Sequence, residues 1–294
     1  MDRLVEASDT ELVSATLDVS ISTMPYDAFE IERAGGVSTL WLANPARRNA
    51  MGPAFWDELP RATAELAADA GTRVIVLAAR GEHFTVGLDL QAMGGTIAGG
   101  EATSGAAQRM RTLQEIARLQ RSITAIADCP KPVVAAIHGW CIGGGIDLIT
   151  ACDLRVASAC ARFSVRETRI AIVADVGTLQ RLPGIVGRGI AAELCLTGDD
   201  FDAERARAIG LVNAVHPDAA AAQRAAHELA GRIAANSPLA VQGTKRVLRY
   251  CEGKSVEDGL AFVATWNAAF IQSDDLAEAM AAFFEKRPPR FTGR

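Results

Sequence analysis

The sequence predicts an α/β fold in which parallel strands are joined by helices. Two observations carry this. Segments of strand character recur through the first half of the chain: the alternating VSTLWL (37–42), the continuous apolar run RVIVLAA (73–79), the Pro-bounded CPKPVVAAIHG (129–139) and the short LRVAS (154–158). Between them lie segments of helical length, and parallel strands need connections of that size. RVIVLAA has no polar face, which fits a strand covered on both sides.

The elements follow in order. Residues 1–26 read as an N-terminal arm ending at Met24-Pro25. NPARRNA (44–50) is a loop after the first strand. Pro53 suits the first turn of a helix running to Ala70, with Phe55, Leu59 and Leu66 on one face. Pro60 inside that helix predicts a kink or break. The second strand leads into RGEHFTVGLDLQAMGG, a glycine-rich loop, and 96–105 reads as a mobile connection. Met110, Leu113, Ile116, Leu119, Ile123 and Ile126 recur every three or four residues, so 106–128 is an amphipathic helix. A strand, the turn HGWCIGGGIDL (138–148), a helix to about Ala151 and the strand LRVAS come next. From about 201 the chain is Ala-rich and helical. Ser237 before Pro238 makes an N-cap followed by proline at the first helical position. The expected division is an arm (1–26), a core bearing the site (27–217) and a helical region (218–294).

Composition excludes several classes. A net charge of -5 gives no global basic footprint for nucleic acid. The six cysteines lack CxxC pairing and no HExxH is present, so neither a metal site nor a disulfide framework is expected. No run of about 18 apolar residues is present to span a membrane. The acidic start resembles neither a secretory signal nor a transit peptide, and a cytoplasmic location is expected.

Two glycine-bearing turns carry the chemistry. HFTVGLDL (83–90) and HGWCIGGGIDL both follow an apolar strand, and ligands bind at the carboxyl ends of strands in open α/β sheets. One backbone N–H from each could converge on a single oxygen, the second at a helix N-terminus, which favours negative charge. A GxxxxGK[ST] phosphate loop is not formed, because Ile146 stands where lysine is required. Three acids follow. Asp147 is either a first-turn helix acid or a site group. Glu167, between Arg166 and Arg169, is either an ion-paired surface acid or a site group. Asp175, within AIVADVG, is either a turn residue or a buried functional acid.

NPARRNAM, HFTVGLDL, HGWCIGGGIDL and ACDLRVAS together resemble motifs of the crotonase (enoyl-CoA hydratase/isomerase) superfamily, over about 29–288. The resemblance implies a spiral of ββα repeats with a helical C-terminal trimerisation region, and a homo-hexamer arranged as a dimer of trimers. It implies an oxyanion hole for an acyl-CoA thioester oxygen, with Leu88 and Gly144 as the backbone donors. Arg47 and Arg48 are candidates for the CoA phosphates, Lys286 or Arg287 for a neighbour's CoA. Gln91 stands where relatives often carry lysine. Trp140, Met93 and Phe84 line an acyl channel or belong to the core.

The family's chemistries are separated by their acids. Hydratases carry two glutamates, where this chain has Asp147 and Glu167. The trio Asp147, Glu167 and Asp175, with ADVGTLQRLP, CIGGGIDLITACDLR, SPLAVQGTK and ATWN, is similar to the Δ3,5-Δ2,4-dienoyl-CoA isomerases. That resemblance implies isomerisation of a 3,5-dienoyl-CoA in β-oxidation, with Glu167 serving carbon 2 and Asp175 carbon 6. Asp147 would support the pair. The CoA thioester is the substrate, and no cofactor is expected. Asp89 and Asp153 are expected to be structural, the latter pairing with Arg155 or backbone. The competing readings are a 2-enoyl-CoA hydratase or 3,2-enoyl-CoA isomerase, and a non-catalytic protein of this fold that binds RNA or a protein partner.

Overall fold

The computed structural model describes residues 20–21, 26–98 and 105–294. Strand β1 (Ser20–Ile21) pairs antiparallel with β2 (Phe29–Ala34), which forms a hairpin with β3 (Val37–Leu42). The expected arm therefore contributes two paired residues to the sheet; 1–19 and 22–25 lie outside the described residues. Helix α1 (Pro53–Ala68) returns the chain to β4 (Val74–Ala79), parallel to β3. Helices α2 (Leu90–Ala98) and α3 (Gly105–Asp128) lead to β5 (Val133–Ile137), then β6 (Trp140–Ile142) and α4 (Gly144–Thr150). Strands β7 (Leu154–Ser158) and β8 (Arg162–Ser164) precede α5 (Thr178–Val186) and α6 (Arg188–Thr197). Strand β9 (Phe201–Asp202), α7 (Ala203–Ala208) and β10 (Ala214–His216) complete the sheets. Four helices follow: α8 (Ala219–Ala234), α9 (Pro238–Tyr250), α10 (Val256–Phe270) and α11 (Asp274–Glu285).

The larger sheet runs β1-β2-β3-β4-β5-β7-β10, parallel from β3 onward; the smaller runs β6-β8-β9. Isolated bridges Met51–Leu88 and Thr85–Cys141 extend the second layer to the preceding loops. Each coil of the spiral thus gives a long strand, a short strand or bridge, and a helix. Alternate side chains of the central strands enter two cores. Ile75, Leu77, Val133, Ala135 and Ile137 face the main one. Val74, Val76, Val134, Ala136 and Val156 face α8, which presents Ala222, Ala226, Ala230 and Ala234 at i, i+4 spacing. Small side chains on that stripe let the helix lie close to the sheet. Helix α8 therefore belongs to the layer covering the sheet, although it falls in the helical C-terminal region.

Two expectations are corrected. Helix α1 is one element through Pro60, with no break. Its face of Phe55, Trp56, Leu59, Ala62 and Leu66 is fully packed, and that burial outweighs the one backbone bond the proline removes. Helix α3 buries Ile123 and Ile126, but Met110 and Leu113 remain 56% and 61% exposed, so the amphipathic stripe is covered only in its second half. Of the two partners expected for Asp153, Arg155 or backbone, the structure shows backbone. The Asp153 Oδ2 accepts from the Val133 N–H (2.7 Å) and Lys245 Nζ (2.7 Å), while Arg155 donates to the carbonyls of Leu211 and Cys152. The connection at 96–105 is helical at both ends; 99–104 lies outside the described residues. Among the described residues no helix is long and apolar enough to cross a membrane, and no group of three or more His, Cys, Asp or Glu could hold a metal.

Candidate active site

The two glycine turns are sewn together by backbone. Phe84 N–H donates to the His138 carbonyl (2.8 Å), Thr85 N–H to Trp140 (2.9 Å), and Ile142 N–H to Thr85 (3.3 Å). The NPARRNAM loop joins them through Asn49, whose Nδ2 donates to the carbonyls of Arg80 and His83 at 2.9 and 2.8 Å. Met51 N–H donates to Gly87 and Asp89 N–H to Met51. A parallel bridge built this way bonds the residues on either side of Leu88, so the Leu88 N–H points away from Met51.

Contact at this point is backbone on backbone. A Cβ on Gly87 would lie 2.7 Å from the Ile142 carbonyl oxygen and 3.3 Å from the Gly144 nitrogen. One on Gly144 would lie 2.8 Å from Met51 Sδ. Glycine is required at Gly87 for the loops to meet, and at Gly144 a Cβ would have to displace the buried Met51 side chain. Gly144 is also the first residue of α4, whose N–H groups have no partner within the helix. The structure thus brings Leu88 and Gly144 to one place.

The three acids surround the same turn. Asp147 points inward from the start of α4 and is only 1% exposed. Its Oδ1 accepts from the Thr178 N–H at 2.5 Å, capping α5 from another coil, and its Oδ2 is buried without a partner. Burial, then the Glu167 charge, push its pKa up to about 7 against the opposing pull of Thr178. Desolvation therefore outweighs the helix end. Glu167 opens a short 3-10 turn after β8, with Oε1 3.6 Å from where a Gly143 Cβ would stand. Its neighbours Arg166 and Arg169 are engaged with Asp200 and Asp199, so Glu167 is left without a cation. Oε2 is buried and unpartnered, and burial foremost, with Asp175 adding to it, raises this carboxyl. Asp175, half-buried between Ala174 and Val176, is raised by burial, and its carbonyl accepts from Gln120 Nε2 of α3 at 2.7 Å.

The remaining candidates divide. Arg47 pairs with buried Asp89 (2.9 Å), which also accepts from the Ala92 N–H and so fixes the loop entering α2. Arg48 is exposed and makes no ion pair among the described residues. Arg287 is engaged by Glu278 and Glu285. Phe84 and Met93 belong to the main core, whereas Trp140 is half-buried with the Arg166 guanidinium 5.5 Å from its ring centre. Thr178, Gln120 and Arg181 were not singled out by the sequence. The signal was present in GTLQRLP, where an arginine falls in the first turn of a helix that follows the Asp175 turn.

Carboxylates with raised proton affinity beside converging N–H donors can move protons next to an oxyanion. The fold and this site define a crotonase-type protein. The chain belongs to the enoyl-CoA hydratase/isomerase family, whose model matches residues 32–294. It is 42% identical over 282 residues to the mitochondrial Δ(3,5)-Δ(2,4)-dienoyl-CoA isomerase of Dictyostelium discoideum, covering 96% of both chains. It is 44% identical over 273 residues to the peroxisomal Δ(3,5)-Δ(2,4)-dienoyl-CoA isomerase of Arabidopsis thaliana, covering 90% of this chain and 97% of the relative. Among solved structures, an enoyl-CoA hydratase from Bacillus anthracis superposes with a TM-score of 0.80 at 30% identity, over 94% of this chain and 99% of that one.

Proposed function

We propose that the protein isomerises 3,5-dienoyl-CoA to 2,4-dienoyl-CoA in β-oxidation. The observation that carries this reading is the third acid: Asp175 stands with Glu167 and Asp147 in one cluster beside the Gly144 turn. Two of the relatives described above bear this activity in their names.

The Leu88 and Gly144 N–H groups hold the thioester oxygen. Glu167 removes the proton from carbon 2, and the electron pair enters a dienolate with its charge on that oxygen. Asp175 delivers a proton to carbon 6, and the double bonds move to positions 2 and 4. One proton is lost and one gained, so the acids finish with their protons exchanged. Two groups are needed because the two carbons lie too far apart along an extended chain for one carboxylate. Asp147 supports the pair from the buried side, while burial and the Asp175 charge keep the Glu167 proton affinity high. No cofactor takes part, and the CoA thioester is the substrate.

Arg48, unpaired and exposed, is the better placed of the two loop arginines for a CoA phosphate; Arg47 would first have to leave Asp89. A homo-hexamer built as a dimer of trimers is supported by the exposed apolar residues of the last two helices, among them Leu260, Met280, Phe283 and Phe284. Neither nucleic acid nor membrane is proposed as a partner. The six free cysteines support a reducing compartment, and the cytoplasm is the one proposed, although the two relatives are named mitochondrial and peroxisomal.

Incubation with 3,5-octadienoyl-CoA should raise the absorbance of the conjugated 2,4-dienoyl thioester. A folded, CoA-binding protein that gives no such gain overturns the reading.

A further inference from the structure

Arg181 is a half-buried cation without an acid. Its Nη2 donates to Thr124 Oγ1 of α3 at 3.1 Å, and its Nη1 is buried with no partner. Among the described residues it makes no ion pair. The side chain folds back over the start of its own helix: Nη1 lies 1.8 Å from where a Gly177 Cβ would stand. Gly177 has φ +137° and no side chain, and the guanidinium occupies the place a side chain would take. The next residue, Thr178, donates its N–H to Asp147. A guanidinium and a buried carboxylate, each with one buried atom left without a partner, are therefore separated by one turn of backbone.

We propose that Arg181 is a positioning residue for the acid cluster: folded across Gly177, its guanidinium fixes the Thr178–Asp147 contact and supplies the positive charge that lets Asp147 stand as an anion inside the core. Burial lowers the proton affinity of Arg181, and the Asp147 charge is the largest influence raising it. Other charges do not replace this role. Arg249 and Asp128, which also face Arg181, pair with each other at 2.8 Å, and Glu252 is exposed. Asp147 itself is faced by Glu167 and Asp175, both of like charge, with Cys195 nearby. Arg181 therefore acts on the proton-transferring pair through Asp147.

The test follows folding stability against pH in the full chain. In the wild type, stability falls with rising pH up to the Asp147 midpoint at about 7. Arg181→Met should move the end of that fall upward by about one pH unit, since an opposite charge has been removed from a buried carboxylate. Arg181→Lys should restore most of the wild-type window. In an Asp147→Asn background, Arg181→Met should leave the window unmoved. An unmoved window in Arg181→Met alone, no recovery with lysine, or a shift that persists without Asp147 would each overturn the proposal. If Arg181→Met does not fold, Thr124→Ala, which only frees Nη2, should give a smaller shift in the same direction, and an unmoved window there is equally fatal. A second arm rests on the isomerase reading: kcat should fall about tenfold or more with KM nearly constant, and a loss confined to KM counts against the proposal. A protein without isomerase activity that still shows the Asp147-dependent shift sinks that reading and leaves this one standing.

Discussion

Asp147 is the residue whose chemistry differs most from that of an ordinary surface acid. Its folded pKa, about 7, lies above the ordinary value of 3.8. Across that window the folded chain holds a proton that the unfolded chain has released. Stability is therefore fully present below about pH 4, falls as pH rises toward 7 and levels off above it, at up to about 1.4 kcal/mol per pH unit per proton. Burial raises Glu167 and Asp175 too, and both slope the same way. Asp147→Asn, whose Oδ1 can still accept from Thr178, should flatten the part of the slope nearest pH 7 in urea unfolding measured from pH 4 to 8. Asp175→Asn should cut isomerase kcat by roughly 10²–10⁴, the range for a lost general acid, while CoA binding by calorimetry stays intact. Retained activity in that variant would favour a hydratase or 3,2-isomerase. The three acids could be picked out in the sequence because they sit at motif spacing. Arg181 could not, because its meaning depends on Asp147, whose only direct partner in α5 is 31 residues away along the chain.

At the scale of elements, the glycine turns and α8 place the tightest demands on sequence. Gly144→Ala must push Met51 Sδ away from 2.8 Å, and Met51 is fully buried. The displaced turn should cost kcat about 10²–10³-fold, as loss of an oxyanion donor does, while thermal unfolding shifts modestly. Ala230→Leu should destabilise by about 1–3 kcal/mol in chemical denaturation, since α8 has no room against Val76 and Val134. The limits of some strands were legible, 37–42 and 154–158 matching β3 and β7, whereas 129–139 overran β5 and β2 was not read as a strand. Burial on both faces makes β4 (Val74–Ala79) an uninterrupted apolar run, which set its limits to within a residue. Helix α1 was legible in place but not in continuity. Pro60 is a strong local signal, and only the packing of Phe55, Trp56 and Leu59 shows that it loses.

For the whole molecule, the spiral was legible only through the motif resemblance, because periodicity identifies strands and helices without saying which layer a short strand joins. The role of α8 as a cover for the sheet was hidden for a related reason: an alanine stripe looks the same on a solvent face and on a close-packed one. The exposed apolar residues of α10 and α11 predict self-association. Sedimentation should show a species near six times the 31.0 kDa chain, and charged substitutions at Phe283 and Phe284 together should shift it to smaller species.

The donors and the acids come from successive coils of the spiral. Leu88 and Gly144 sit on loops locked by backbone contact, whereas Glu167 and Asp175 sit on the next coil out, which joins the glycine turn through the β6–β8 pairing and α3 through Gln120. The proposed anchoring and chemistry thus fall on different coils. The outer coil can be rewritten, exchanging which carbon gains or loses a proton, while the oxygen that marks the start of every substrate stays where it is. A scaffold divided this way can diversify in reactions without having to relearn its ligand.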